Sequence, residues 1–182
     1  MTSLDGYINV TMGEGKVLNA GLDRITNSFL QELSAALNPF QEQQESTNIN
    51  CGAAFVTFSQ GQLSGKPAVV VDTPNVKIFA DTAIALDSEK LQVQFKTVPQ
   101  KGLGFSMSSL INPYIEVTGT LAKPRLSLNP GNTVVAGSLA VVTGGISVLV
   151  RNVMDRLTTS GNVCAARLAK ANEQMAEIEA LN

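Results

Sequence analysis

The chain has 182 residues, of which 44% are hydrophobic and 15% are charged, and its formal net charge is −2. This size and composition favour one globular domain with a sizeable core and exclude a largely disordered chain. The small net charge and the scattered Lys and Arg residues argue against a nucleic-acid partner. The absence of histidine removes the commonest general base and metal ligand, together with every triad that uses an imidazole.

The first elements predicted along the chain are a strand and a helix. Ile8, Val10 and Met12 alternate with polar residues, which is typical of a strand, and glycines at 13 and 15 end it. An apolar stripe at helical spacing then predicts a helix that stops at Asn38-Pro39; its members are Leu18, Leu22, Ile25, Phe29, Leu33 and Ala36. The first twenty residues lack a secretory signal, which indicates a cytosolic protein or part of a longer one.

Residues 48–128 predict a series of short strands. Turn-forming residues separate them at 60–61, 65–67, 73–75, 88–90 and 99–104. Leu91, Val93 and Phe95 alternate with polar residues, so one face of the sheet is apolar and the other is hydrated. Consecutive short strands favour antiparallel neighbours joined by hairpins. The predicted fold class is therefore α+β, with a mostly antiparallel sheet, an amino-terminal helix and two carboxy-terminal helices that pack on the sheet or close it.

Two helices are predicted after residue 130. The uncharged stretch 126–150 is long enough to cross a membrane, but its Asn, Pro and Gly residues favour a buried or interfacial helix. The apolar stripe of this helix consists of Val135, Leu139, Val142, Ile146, Leu149, Val153 and Leu157. A charged helix follows from about residue 163. Its predicted inner face carries Cys164, Leu168, Ala171, Met175 and Ile178, and its outer face Arg167, Lys170, Glu173 and Glu177.

The two cysteines, Cys51 and Cys164, are 113 positions apart, outside the spacing of metal ligands and of dithiol redox motifs. Cys51 shares a predicted strand face with Ala53 and Phe55, while Cys164 lies on the apolar stripe of its helix. Both can therefore point into one interior. The sequence allows two buried thiols or one long-range disulfide, which an oxidising compartment would permit and which would stabilise the fold by about 4–5 kcal/mol in the chain-entropy model.

Four acidic residues, Asp72, Asp81, Asp87 and Glu89, lie in or beside predicted turns. Short polar side chains in turns commonly bond the backbone, so neither a catalytic pair nor a calcium loop is expected. The glycine-containing segments at 13–16 and 65–67 lack the remaining residues of a dinucleotide or phosphate-binding motif. The sequence therefore predicts no enzyme activity, no catalytic residue, no metal site and no cofactor.

The candidate functional residues are instead the apolar side chains of the strands. If helices of the chain cover them, they form the core, and if they line an open trough, they can hold hydrocarbon. These candidates are Val69, Val71, Val76, Ile78, Ile84, Leu86, Leu91, Val93, Phe95, Ile115 and Val117.

Four segments in order resemble the carboxy-terminal domain of the AsmA family of Gram-negative envelope proteins, which are anchored in the inner membrane. The segments are TNINCGAAFVTFSQG (47–61), VVVDTPNVKIFADTAIALDSEKLQVQF (69–95), INPYIEVTGTLAKPRLSLNP (111–130) and TGGISVLVRNVMDRL (143–157) with a following cysteine. The resemblance covers about 120 of the 182 positions. It implies that residues 1–182 form a single domain. In that domain, residues 1–130 form a helix and a curved, groove-like antiparallel sheet, and residues 131–182 form the apolar and charged helices.

The resemblance implies a periplasmic, non-enzymatic domain that takes part in outer-membrane assembly or in lipid movement between the envelope membranes. Its expected partners are phospholipid or fatty acyl chains, the inner membrane through an upstream anchor, and other envelope proteins. The sheet would hold acyl chains in an apolar groove or cap such a groove. The alternative is a protein-interaction module of the envelope that binds no lipid, through an edge strand or the outer face of the terminal helix.

Overall fold

The computed structural model describes residues 5–18, 32–33, 36–37, 46–100, 115–128 and 161–180. The strands are β1 (Gly6–Met12), β2 (Gly15–Leu18), β3 (Ser46–Ile49), β4 (Cys51–Ser59), β5 (Gln62–Asp72), β6 (Val76–Ala85), β7 (Lys90–Pro99), β8 (Ile115–Thr120) and β9 (Lys123–Leu128), and the terminal helix α1 is Val163–Ala180.

The main sheet has seven strands in the order β1-β4-β5-β6-β7-β8-β9, and every neighbouring pair is antiparallel. From β4 to β9 the spatial order follows the chain, so the predicted antiparallel neighbours are confirmed. Strands β2 and β3 form a separate two-stranded ribbon. The described part of the chain is therefore a mostly antiparallel sheet with a carboxy-terminal helix.

Tight turns connect β4 to β5, β5 to β6 and β6 to β7 where the sequence predicts them. Gln60 and Gly61 both have positive φ, 51° and 75°, at the β4–β5 turn, which matches the backbone of a two-residue hairpin. At the β5–β6 turn the Val76 N–H donates to Thr73 Oγ1 at 3.0 Å, and that hydroxyl donates to the Val76 carbonyl at 2.8 Å. Because Thr73 and Val76 are both buried, these bonds satisfy polar groups that water cannot reach.

One predicted turn, at residues 65–67, is wrong. Strand β5 continues through these residues, and its register shifts against β4 between Ala54 and Thr57 and against β6 between Gly65 and Val69. The extra residues form a β-bulge, which accommodates the proline inside a strand and bends it locally. A Cβ at Gly65 would lie 2.6 Å from the Phe55 carbonyl oxygen, so this close approach of two backbones requires glycine.

Helix α1 begins at a side-chain cap. The Ala165 N–H donates to Asn162 Oδ1 at 2.9 Å, which satisfies one of the free N–H groups of the first turn. The helix packs on β1, β4 and β5, and Val163 joins Val70 and Phe79 in a buried apolar cluster. The predicted terminal helix is confirmed.

The other predicted helices fall mostly outside the described residues. Leu18, predicted in the amino-terminal helix, instead ends strand β2, where it pairs with Ser46; this pairing overrides the local helical spacing. In the rest of that stripe, the described backbone at 32–33 and 36–37 is helical. The predicted apolar helix at 135–157 lies outside the described residues. None of the helices among the described residues has the length and hydropathy of a membrane span.

Candidate functional site

The strand register sorts the side chains of the main sheet onto two opposite faces, because directly opposed residues of antiparallel strands point to the same side. One side, here called the apolar face, includes the rows Val10–Ala54–Val69 and Val71–Ile78. Its large and small apolar members are Ile8, Val10, Met12, Ala54, Val56, Phe58, Leu63, Val69, Val71, Val76, Ile78, Ala80, Ile84, Leu91, Val93, Phe95, Ile115, Val117 and Leu126. Two buried threonines, Thr82 and Thr97, also belong to this face.

The other side of the sheet, here called the helix face, receives α1 and carries the charges. Helix α1 covers it at Phe55, Val70 and Phe79. Apart from Lys66 in the bulge, the charged residues of the main-sheet strands all occupy the helix face: Asp72, Lys77, Asp81, Lys90, Lys96, Glu116, Lys123 and Arg125. Apart from Lys66, which has no register partner, no charged residue of the described main-sheet strands belongs to the apolar face. The sheet is therefore sharply divided by polarity.

Ten of the eleven candidate residues belong to the apolar face. They come from β5, β6, β7 and β8, and the register brings them together in one surface: Val69, Val71, Val76, Ile78, Ile84, Leu91, Val93, Phe95, Ile115 and Val117. Leu86 lies in the β6–β7 turn instead, and its N–H donates to the Gly61 carbonyl at 2.9 Å. The period-two pattern therefore identified one continuous surface that spans four strands.

The side chains of the apolar face differ in solvent exposure from one edge of the sheet to the other. Val76 and Ile115 are 0% and 2% exposed, as expected for core. Near the β1 edge, in contrast, Val10 is 55% exposed and Val69 is 36% exposed. The apolar side chains are thus buried at Val76 and Ile115, half-buried at Ile78 and Val71, and open to solvent at Val69 and along β1. The open part is the region that an apolar ligand can reach without unfolding the domain.

The helix face contains a feature that the sequence did not predict, namely a buried arginine inserted into the bulge. Arg167 is 1% exposed, whereas Leu168, predicted to face inward, is 37% exposed. Arg167 Nε donates to the Pro67 carbonyl at 2.8 Å, and Nη2 donates to the Phe55 carbonyl at 3.3 Å. The predicted inner and outer faces of α1 are therefore wrong at these two positions, because the bulge offers carbonyl acceptors that only a long donor can reach.

An aromatic ring also stabilises the guanidinium. The Arg167 carbon Cζ lies 5.0 Å from the centroid of the Phe55 ring, which is a cation–π distance. Nη1 donates to Gln174 Oε1 at 3.3 Å. Burial lowers the pKa of Arg167 to about 10, so the side chain remains charged at neutral pH. A Gly-X-Pro segment inside a strand pattern is the signal that could have predicted the bulge.

Cys51 and Cys164 form a disulfide, with their Cα atoms 6.2 Å apart. Cys51 is the first residue of β4, and Cys164 lies in the first turn of α1. The bond therefore attaches the start of the helix to the sheet, one helical turn from Arg167. Such bonds persist in oxidising compartments.

The four acidic residues of the strand region do not converge. Asp72 Oδ1 accepts bonds from Asn50 Nδ2 at 3.0 Å and from Gln100 Nε2 at 2.8 Å, which ties the ends of three segments together. Asp87 Oδ1 accepts the Ser88 N–H at 2.7 Å within a turn, and Glu89 is exposed in the same turn. Among the described residues, no group of three His, Cys, Asp or Glu side chains could hold a metal ion.

Asp81 differs from these three because its carboxylate points from β6 onto the helix face without a full set of partners. Its Oδ1 is buried and accepts no hydrogen bond from the described residues. Burial raises the pKa of Asp81 from 3.8 to about 6, although the positive charges of Lys66 and Lys96 act in the opposite direction. A lone carboxyl between two lysines provides a titrating group but no acid–base pair.

Comparison with known proteins adds no assignment. No protein-family model matches the chain, and neither the curated proteins nor the solved structures include a significant match.

Proposed function

We propose that this chain is a non-enzymatic domain of the bacterial envelope whose curved sheet holds lipid acyl chains against its apolar face. The observation that carries the proposal is the division of the sheet: the strand residues of one face are free of charge from β1 to β9. An acyl chain lying on the exposed part of that face meets no charged strand residue, and the two threonines of the face, Thr82 and Thr97, are already buried. Burying an unpaired polar group would cost about 2–7 kcal/mol.

The mechanism proposed is passive. Each Å² of apolar surface removed from water contributes about 25 cal/mol, and no bond is made or broken. Because Lys77, Lys96 and Arg125 belong to the opposite face, the described strand residues assigned to the apolar face include no cation to recognise a phosphate. The domain should therefore select for hydrocarbon and discriminate weakly between head groups.

The setting proposed is the periplasm, in a protein anchored to the inner membrane that takes part in outer-membrane assembly or lipid transport. Two observations support it. The first is the resemblance of four ordered segments to the AsmA family, and the second is the Cys51–Cys164 disulfide, which suits an oxidising compartment.

The proposal is tested by purifying the full chain from bacterial membranes and identifying extracted lipids by mass spectrometry. We expect phospholipid or fatty acid to co-purify, and a fluorescent fatty acid to bind the delipidated protein. Val69→Glu places a charge on the open part of the apolar face and should weaken this binding at least about tenfold, which equals 1.4 kcal/mol.

Leu121→Glu is the matched control, because Leu121 is 53% exposed but lies in the β8–β9 turn. It should bind the fatty acid as the unchanged protein does, and circular dichroism should show both variants folded. If the unchanged protein neither retains lipid nor binds the fatty acid, the acyl-holding function is wrong. The domain would then cap a groove that other parts of the protein form.

A further inference from the structure

We propose that β1 is a self-association surface, in which β1 of one molecule pairs antiparallel with β1 of a second copy. β1 stands at one edge of the seven-stranded sheet, where β4 is its partner on one side and no described strand lies on the other. A strand in this position presents backbone N–H and C=O groups that another strand can bond.

The two edges of the sheet differ in the features that prevent such pairing, which are charges, prolines and bulges. The opposite edge strand, β9, contains Lys123, Pro124 and Arg125. β1, with the sequence GYINVTM, has no charged residue and no proline, and its register with β4 continues without a shift. The β9 edge therefore carries features that oppose pairing with a second strand, and among the described residues the β1 edge carries none of them.

The apolar side chains of β1 remain exposed in the single molecule. Ile8, Val10 and Met12 are 50%, 55% and 46% exposed, and all three belong to the apolar face. A neighbouring strand would cover them, and each buried CH₂ group would contribute about 0.8 kcal/mol. The same strand thus offers free backbone groups and an apolar surface that gains from being covered.

The sequence of β1 favours a second copy of itself as the partner, because two copies that run antiparallel place compatible side chains opposite each other. An antiparallel pair centred on Asn9 places Ile8 opposite Val10 of the second copy on the apolar face. It also places Gly6 opposite Met12, where the small residue leaves room for the long one. Cross-strand pairs of β-branched residues stabilise a sheet, and a symmetric contact of this kind closes as a two-fold dimer. An uncharged strand offers nothing to select a charged peptide instead.

This pairing would join two apolar faces into one surface that crosses the dimer axis. Helix α1 lies on the opposite face of β1, where the Tyr7 hydroxyl donates to Glu179 Oε1 at 3.3 Å, so α1 does not cover the apolar side chains of β1. The proposal does not depend on lipid binding, since the contacts are made by β1 alone. A lipid-free protein could still dimerise in this way.

The first test measures the molar mass of the full chain by sedimentation over a range of concentrations. We expect a monomer–dimer equilibrium whose dissociation constant rises at least about tenfold in Val10→Lys, because the dimer would bury an unpaired ammonium. Leu121→Lys, at a similarly exposed apolar residue in the β8–β9 turn, should dimerise as the unchanged chain does. A monomeric unchanged chain overturns the proposal, as does a dimer that Val10→Lys leaves intact.

The second test determines by cross-linking which residues of the two β1 strands lie opposite each other, and it does not require a variant that destabilises the dimer. Asn9→Cys would place two thiols opposite each other across the axis, so a short bismaleimide should link the two copies. Thr11→Cys, which lies opposite Tyr7 in this pairing, should link far less. Equal linking at both positions, or none at position 9, overturns the antiparallel pairing centred on Asn9. The unchanged chain is the blank, because Cys51 and Cys164 are bridged.

Discussion

At the scale of single residues, Asp81 and Arg167 show how a charge is tolerated inside this domain. Arg167 has two backbone carbonyls and an aromatic ring within reach, so its donors are satisfied after burial. Asp81 has a buried oxygen that accepts no bond from the described residues. A sequence pattern does not show whether a buried charged group has hydrogen-bond partners, because the partners are backbone groups of other strands that the fold brings nearby. The two residues lead to opposite predictions for stability.

Replacing Asp81 with Asn should stabilise the protein at neutral pH. The folded-state pKa of Asp81, about 6, exceeds its unfolded value of 3.8, so the folded state binds the proton more tightly. The stability of the unchanged protein should therefore fall as pH rises from about 4 to about 6 and stay low above that. Asp81→Asn should remove this fall and raise the free energy of unfolding at pH 7 by about 1–3 kcal/mol.

Urea denaturation at several pH values between about 4 and 7 measures this effect. Asp87→Asn is the control, because it removes an equal charge from an exposed turn and retains an oxygen that can accept the Ser88 N–H. Its pH profile should follow that of the unchanged protein. A steeper fall in Asp81→Asn, or equal profiles for all three proteins, would contradict the assignment.

Arg167→Ala should destabilise the protein more than Leu168→Ala, the reverse of what the helical pattern predicts. Loss of the guanidinium leaves the Pro67 and Phe55 carbonyls without this donor, and a buried unsatisfied group costs about 1–3 kcal/mol. We therefore expect a loss of about 2–4 kcal/mol for Arg167→Ala. Leu168, partly exposed, should lose less than about 1.5 kcal/mol. Urea denaturation would contradict this arrangement if Leu168→Ala were the more harmful change.

At the scale of elements, the bulge in β5 and the helix α1 depend on each other. The bulge interrupts the ladder between β4 and β5, and Arg167 of α1 bonds carbonyls at that interruption. The disulfide then attaches the first turn of α1 to the start of β4. The sequence pattern predicted the strands β4 and β5 and the helix α1. It misplaced the turn at 65–67, because a proline usually ends a strand and only a bulge admits it.

Reduction of the Cys51–Cys164 bond should loosen α1 while leaving the sheet folded. In the chain-entropy model, a link across 113 positions contributes about 4–5 kcal/mol. Urea denaturation with and without reductant should show a loss of this order. Hydrogen exchange should show the largest increase in the amides of α1.

The variant with both cysteines replaced by Ala is the control for this experiment, and its stability should not respond to reductant. If reductant lowers the stability of that variant equally, the effect does not come from the disulfide. If α1 and the central strands gain exchange equally, the bond stabilises the whole domain instead of holding the helix.

At the scale of the whole molecule, the main property is the separation of polarity between the two faces of one sheet. Charged strand residues and α1 share the helix face, and the other face is predominantly apolar, with Thr82 and Thr97 as its polar members. The lipid and dimer experiments both examine this surface, at Val69 and at Val10. They are independent, because a monomer can bind a fatty acid and a lipid-free chain can dimerise.

The amino-acid pattern alone was enough to predict most strands of the main sheet, several of its turns, the terminal helix and the apolar side of the sheet, because period-two alternation and turn residues are local properties of the chain. It missed β2 and placed a turn inside β5. The pairing of β1 with β4, the insertion of Arg167 into the bulge and the contact between the two cysteines follow from the folded arrangement of distant segments. These features join residues as far as 113 positions apart. They depend on which backbone groups and side chains the fold brings together, and no local pattern records that.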